Sequence, residues 1–532
     1  MPKKEPTDKI LTRAKKAANA GDFQTAVTAF GQVLARFPSN KRALKGMAAL
    51  RATALPQLQA AAQQAQEERR WPDAEAQLRA ARLLAPDQAD MGLALAACLM
   101  EQRKAPAALA AVQTILKKMP DHPQALNIQG AAQRLMGQGA AAKQSFTAAL
   151  GDPVWDVQSL NNLGISARAE GARTDAAEYY RRAIAADPDN PALHLNLSQE
   201  TNYSADTPHL QQMRDLLASK DRNNPALAPL HFALFKAFDD LGETDMAFAH
   251  LEKANTLAKA NLQYDFQKDA IPCALSKVLL KEPIHSAEVA TTQRPIFITG
   301  LPRTGTTLAE QILARSEGTR PCGELTVVQL AVVRLMREVM DRPQKALTQS
   351  DIDDLGAELR SGLAEYGDGA AVLIDKMPLN FRWIGFICAA LPEARIVHMS
   401  RDPMAVAWSL YRQSFDSAGN GFVYDPSDIA RFMALHRDLM AHWRNCYPDR
   451  IFDLSYEALV SDPETTTRAL ATATGLDWSE NWLTPEKASH LVLTASARQI
   501  RKPIFRDSND QWARYEAQLA PMRAALVAAG LI

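Results

Sequence analysis

The sequence predicts two architectures in series: an N-terminal all-α repeat solenoid over residues 8–258 and an α/β domain with a mostly parallel sheet over residues 294–532, joined by a connector at 259–293. Three observations carry this reading. Proline recurs at a near-constant interval through the first half. Short β-branched runs alternate with helical stretches through the second. Between the halves, a glycine loop joins an apolar run to the start of a helix.

In the first half the prolines stand at Pro38, Pro86, Pro120, Pro153 and Pro188, and the last three intervals are 34, 33 and 35 residues (120−86, 153−120, 188−153). An alanine lies twelve residues before each, at Ala26, Ala74, Ala108, Ala141 and Ala176. A small residue there lets two helices pack closely, and the proline stops the second of them. This period is that of the tetratricopeptide repeat, a stacked helix–turn–helix pair that buries its face on its neighbours. The first interval is 48 residues (86−38), and the Ala/Gln-rich stretch inside it, Gln57 to Gln66, reads as helix. Leu230 to Ala258 reads as one more helix pair with Gly242 at its turn. Such an array is either a groove for a peptide or protein partner or a scaffold compatible with homo-oligomers.

The second half opens with Arg294-Pro-Ile-Phe-Ile-Thr-Gly-Leu-Pro-Arg-Thr-Gly-Thr-Thr-Leu308. Ile296 to Thr299 reads as a buried strand, Gly300 to Gly305 as a tight loop, and a helix starts near Thr306. Strand, glycine loop and helix N-terminus make a phosphate cradle, because backbone amides and the helix dipole converge on one spot. The spacing is P-loop-like, with Thr306 where an NTPase carries its lysine, which argues against a kinase or NTPase and leaves Arg303 as the nearest cation. Further strands are expected at Ala371–Asp375, Arg395–Met399 and Arg450–Leu454, and helices at Leu325–Met340, Asp351–Tyr366, Ser427–Cys446 and Pro463–Thr474. Ligands of such sheets bind at the carboxyl ends of the strands.

Size and composition narrow the function class. A chain of 532 residues is too long for one core. Its 60 Lys and Arg balance 60 Asp and Glu, so any anion site is local, and no basic stripe marks nucleic acid. Five scattered cysteines and an N-terminus without an apolar core fit a reducing, cytoplasmic setting. No run approaches the ~18 apolar residues a membrane span needs. No metal-ligand spacing is present. Trp478 and Trp482 flank a short acidic turn and suit packing or an acceptor pocket.

The altered loop resembles the 5′-phosphosulfate loop of sulfotransferases, enzymes that use 3′-phosphoadenosine 5′-phosphosulfate (PAPS), and is most similar to the tyrosylprotein sulfotransferases and their bacterial repeat-fused relatives. Two more segments extend the resemblance. Arg401 and Ser409, in Ser400-Arg-Asp-Pro-Met-Ala-Val-Ala-Trp-Ser409, match the arginine and serine that hold the 3′-phosphate, and Lys502, with neighbouring Arg501, matches a basic loop that folds over the cofactor. The resemblance implies that Arg303, Thr304, Gly305, Thr306 and Thr307 hold the phosphosulfate. It implies that Lys376, in Leu373-Ile-Asp-Lys-Met-Pro378, stabilises the departing phosphate, with Arg303 as the other cation. Glu324, in Pro321-Cys-Gly-Glu-Leu-Thr326, is the candidate base; the family has a second acid where this chain has Leu325. His398, His436 and His442 are its competitors. The implied reaction is PAPS-dependent sulfuryl transfer without a metal, to a tyrosine hydroxyl of a protein or peptide or else to a sugar or small-molecule hydroxyl. The rival from another class is a repeat scaffold whose second domain binds a nucleotide without catalysis.

Overall fold

The computed structural model describes residues 5–221, 223–287, 289, 291–415, 418–488 and 510–532. The chain divides into two compact units, residues 1–162 and 163–532.

The first unit is built of consecutive helix pairs, among them Thr7–Asn19 with Phe23–Arg36 and Pro123–Leu135 with Gly139–Ala148. Ala26, Ala74 and Ala108 are fully buried where helices meet. In the fourth repeat the buried alanine is Ala142, not Ala141. An aromatic lock explains the shift. Phe30 stands four residues after Ala26 and Phe146 four after Ala142, and each ring packs on a glycine of a neighbouring helix. A Cβ added at Gly46 would lie 2.4 Å from Phe30 Cζ, and one at Gly130 would lie 2.6 Å from Phe146 Cε1. The long first interval is filled by one 27-residue helix, Lys41–Glu67, with Pro56 inside it.

The second unit begins with further helices and continues into the sheet without a break in packing. Gly164 and Tyr180 repeat the glycine–aromatic lock, 2.4 Å from added Cβ to Cε1. Gly242 turns the chain between Ala228–Leu241 and Thr244–Leu262 at φ +76°. Residues expected to be a mere connector contain a packed helix, Gln267–Leu279, that buries Cys273 and Ser276. Its Lys277 Nζ lies 2.9 Å from Asp438 Oδ2. Phe235, Leu251, Phe297, Trp408 and Tyr515 share one apolar cluster, and Asn255 Nδ2 donates to the Tyr411 carbonyl at 3.1 Å. The sequence boundary at 258 falls inside the helix Thr244–Leu262, and the core runs across it.

The sheet has five strands: β1 (Arg294–Gly300), β2 (Thr319–Pro321), β3 (Val372–Lys376), β4 (Arg395–Ser400) and β5 (Ile451–Ser455). Their order is β2-β3-β1-β4-β5, and every pairing is parallel. Both faces are covered, as a parallel sheet requires. Ile296 and Ile298 face a cluster with Ala309, Ile312 and Trp482, and Phe297 faces the opposite cluster with Phe386 and Ala407. From β1 the chain moves to one side for β2 and β3, then crosses to the other side for β4 and β5. The topological switch point is thus the carboxyl end of β1, where such sheets bind ligands. Among the described residues no helix is long and apolar enough to cross a membrane.

Candidate functional site

Three chain segments converge at the switch point: the loop after β1, the end of β3 and the end of β4. Gly300 takes φ +146°, and a Cβ there would come within 2.5 Å of the Met399 carbonyl oxygen. Because that obstacle is backbone of β4, Gly300→Ala is expected to cost about 1–3 kcal/mol and to lower the thermal midpoint. Gly305 caps the helix Thr306–Leu313 at φ +100°, with a virtual Cβ 2.6 Å from Tyr456 Cδ2. Between them Arg303 is held at φ +73°, a left-handed conformation uncommon for a side-chain-bearing residue. Thr304 braces the turn, its Oγ1 donating to the Leu301 carbonyl at 2.7 Å. Thr306 and Thr307 are buried in the first helical turn, whose amides have no intrahelical acceptor.

The arginine of this loop meets the second motif directly. Arg303 Nε donates to Ser409 Oγ at 2.9 Å, and Arg401 Nη1 donates to the Arg303 carbonyl at 3.1 Å. Arg401 stacks over the Tyr456 ring at 4.6 Å. Asp402 caps the helix Pro403–Tyr411 by accepting from Ala405 N at 2.8 Å, which aims that helix start at the cradle. Burial, then neighbouring Arg401 and Arg412, push Arg303 down to about 10. Arg401 is lowered too, chiefly by burial. Desolvated cations set side by side are stabilised by an incoming anion.

On the other side of β1, Lys376 ends β3 with its side chain 1% exposed, and its Nζ lies 2.7 Å from Glu324 Oε1. Glu324 retains 31% exposure, so it is the member of the pair open to an acceptor. The loop that carries it is stitched to β3. Cys322 N donates to the Ile374 carbonyl and Lys376 N to the Gly323 carbonyl, each at 2.9 Å, and Leu325 N donates to Asp375 Oδ1 at 3.2 Å. Asn380 Nδ2 holds the other Asp375 oxygen at 3.1 Å. Burial drives Asp375 up to about 8 against these hydrogen bonds and Lys376. Glu310, on the cradle helix, is buried as well and is pushed up to about 7 by desolvation.

Seven of the residues singled out in the sequence thus form two hydrogen-bonded sets or flank them: Arg303, Ser409 and Arg401 with Gly305, Thr304, and the pair Lys376–Glu324. Arg501 and Lys502 lie outside the described residues. The competing histidines sit elsewhere. His398 Nδ1 lies 2.7 Å from Asp453 Oδ1, and its Nε2 lies 3.0 Å from His436 Nε2. His442 Nε2 is 3.1 Å from the Leu280 carbonyl. Trp482 is core, donating to Ser316 Oγ, and Trp478 donates to Thr467 Oγ1 beneath Arg468. Sequence reasoning missed Asp375, Glu310 and Tyr456. Asp375 and Glu310 carried a weak signal, a lone acid inside an apolar run of a strand or helix. Among the described residues no group of three or more His, Cys, Asp or Glu is placed to hold a metal.

Residues 295–480 match the model of the sulfotransferase family, and residues 11–69, 60–123 and 129–191 match the tetratricopeptide-repeat model. An uncharacterized protein of Aquifex aeolicus (strain VF5) is 31% identical over 396 residues, 72% of this chain and 51% of that protein; the chain thus spans about half that relative's length. Protein-tyrosine sulfotransferase 1 of Danio rerio is 27% identical over 264 residues, 43% of this chain and 71% of that protein. Protein-tyrosine sulfotransferase 2 of Gallus gallus is 25% identical over 265 residues, 43% of this chain and 68% of that protein. The chain carries a sulfotransferase-family domain behind tetratricopeptide repeats.

Proposed function

We propose that this chain is a PAPS-dependent sulfotransferase whose acceptor is a tyrosine hydroxyl of a protein or peptide. The observation that carries the reading is the cluster at the switch point, where an NTPase-type lysine is replaced by Thr306 and a half-buried Arg303 joins the glycine loop to Ser409 and Arg401. A nucleotide with anions at both its 5′ and 3′ ends fits two linked cationic sets. Arg303 and the amides of Thr306 and Thr307 take the phosphosulfate; Arg401 and Ser409 take the 3′-phosphate, joined by Arg501 and Lys502. The match of residues 295–480 to the sulfotransferase family and the likeness to protein-tyrosine sulfotransferases support the reaction class and the acceptor.

The chemistry follows from the Lys376–Glu324 pair. Glu324 takes the proton of the acceptor hydroxyl as that oxygen forms its bond to sulfur. The bond from sulfur to the bridging phosphate oxygen breaks, its electron pair stays on that oxygen, and Lys376 and Arg303 stabilise the charge. One ion pair therefore joins the base to the cation that steadies the leaving group. The repeats hold the acceptor chain.

Arg401→Ala tests the nucleotide assignment. A charge-assisted hydrogen bond to a phosphate is worth about 1.5–3 kcal/mol, so affinity for 3′-phosphoadenosine 5′-phosphate is expected to fall about 10- to 100-fold. Affinity for the analogue without the 3′-phosphate is expected to stay nearly constant. Calorimetric titrations showing equal losses would remove Arg401 from the 3′ site. A tyrosine peptide that gains a sulfuryl group from PAPS, read by mass, supports the acceptor; transfer to sugar hydroxyls alone would replace it.

A further inference from the structure

The floor of this site contains a carboxyl that the transfer step does not use. Glu310 follows Thr306 by four residues on the helix Thr306–Leu313, so it lies on the same face one turn below the cradle. The residue is 3% exposed. Its Oε1 has no hydrogen-bond partner among the described residues. A buried carboxylate without a full set of donors is costly, whereas the neutral acid needs fewer partners.

Its surroundings are specific. The Gly323 amide hydrogen-bonds the carboxyl, tying it to the loop that carries Glu324. Lys376 draws it toward ionisation and Glu324 opposes that. From β3 come Asp375 and Lys376, and from the Glu324 loop come Cys322 and Glu324. β1 and the turn Glu480–Leu483 pack on the same helix through Ile296, Ile298 and Trp482, which are apolar. Lys376 is the one cation among these groups, and Glu324 already engages it at 2.7 Å.

We propose that Glu310 is a positioning residue of this site, whose buried carboxyl sets the net charge that Lys376 presents to the bound anion. With Glu310 neutral, Lys376 and Glu324 balance, and the helix N-terminus and Arg303 face the phosphosulfate unopposed. With Glu310 ionised, two carboxylates compete for one ammonium beneath an incoming anion. The inference rests on the sulfotransferase reading of the same site, and it makes anion binding and proton uptake one event.

The sign follows from linkage. Burial leaves Glu310 at about 7 in the ligand-free protein, and an anion settling one turn above raises it further. Between the two values, binding takes up a proton. Affinity therefore falls as pH rises above about 7, by about tenfold per pH unit at its steepest for one proton.

The test uses the full chain and 3′-phosphoadenosine 5′-phosphate. Calorimetry in two buffers of different ionisation enthalpy, repeated from about pH 6 to about pH 9 so that the Glu310 value of about 7 is bracketed, counts protons taken up on binding. Wild type is expected to show uptake in the neutral-to-alkaline range, and Glu310→Gln is expected to lose it and bind with an affinity that varies much less with pH. Wild-type binding without uptake overturns the proposal while the sulfotransferase reading stands, and so does uptake that persists in Glu310→Gln. Absence of wild-type binding at every pH overturns both. Because the wild-type proton count needs no variant, misfolding of Glu310→Gln leaves the test intact.

Discussion

Glu324→Gln is expected to bind 3′-phosphoadenosine 5′-phosphate at least as tightly as wild type and to transfer the sulfuryl group about 10²–10⁴-fold more slowly, the range lost with a general base. The amide keeps the size of the side chain and can still accept a hydrogen bond from Lys376 Nζ, which lies 2.7 Å from the present carboxylate. The loop should stay in place, because its main ties are the backbone bonds from Cys322, Lys376 and Leu325 to β3 and back. What is lost is the ability to take a proton. Single-turnover rates beside calorimetric affinities separate the two effects. Unchanged turnover would move the proton acceptor to another group and leave Glu324 as a tether for Lys376.

The second large effect is expected at Lys376. Lys376→Met keeps the buried stem and removes the ammonium. Loss of one donor that stabilises developing charge costs about 10²–10³-fold in kcat. Nucleotide affinity is expected to fall far less, since Arg303, Arg401 and the helix N-terminus remain. A variant that loses affinity and rate in equal proportion would show that Lys376 holds the ground-state phosphate and lacks a separate role in the transition state. Combined with Glu324→Gln, the two losses should be far from additive, because one contact joins the residues.

Much of this arrangement was legible in the sequence because it depends on local rules. The strand–glycine–helix spelling of residues 294–308 places β1 within two residues of its observed ends and the helix start at Thr306. The helix Pro463–Thr474 is found at its expected bounds. The prolines of the repeats do follow helix ends, as after Arg36, Leu84 and Ala186. What sequence reasoning lost depends on packing over distance. The place of Ala142 is set by a ring, Phe146, reaching Gly130 sixteen residues away. The three residues of β2 contain Arg320 and Pro321 and have no strand signature, yet they pair with β3. The expected connector became core because Cys273 joins the main apolar cluster and Ser276 Oγ meets Met336 Sδ, 60 residues along the chain. In the site, Arg303, Lys376 and Glu324 were visible as motif members, but the contacts Arg303–Ser409 and Lys376–Glu324 span 106 and 52 residues. Asp375 and Glu310 gain their character from burial, which an isolated acidic letter in an apolar run does not disclose.

The switch-point cluster is proposed to recognise a 3′-phosphorylated adenosine nucleotide. Titration of the full chain with 3′-phosphoadenosine 5′-phosphate, ADP and ATP in turn tests it most directly. The first is expected to bind with clear selectivity over ADP and ATP. Equal binding of the three, or none, would contradict it and return the chain to a repeat scaffold carrying a domain of another use.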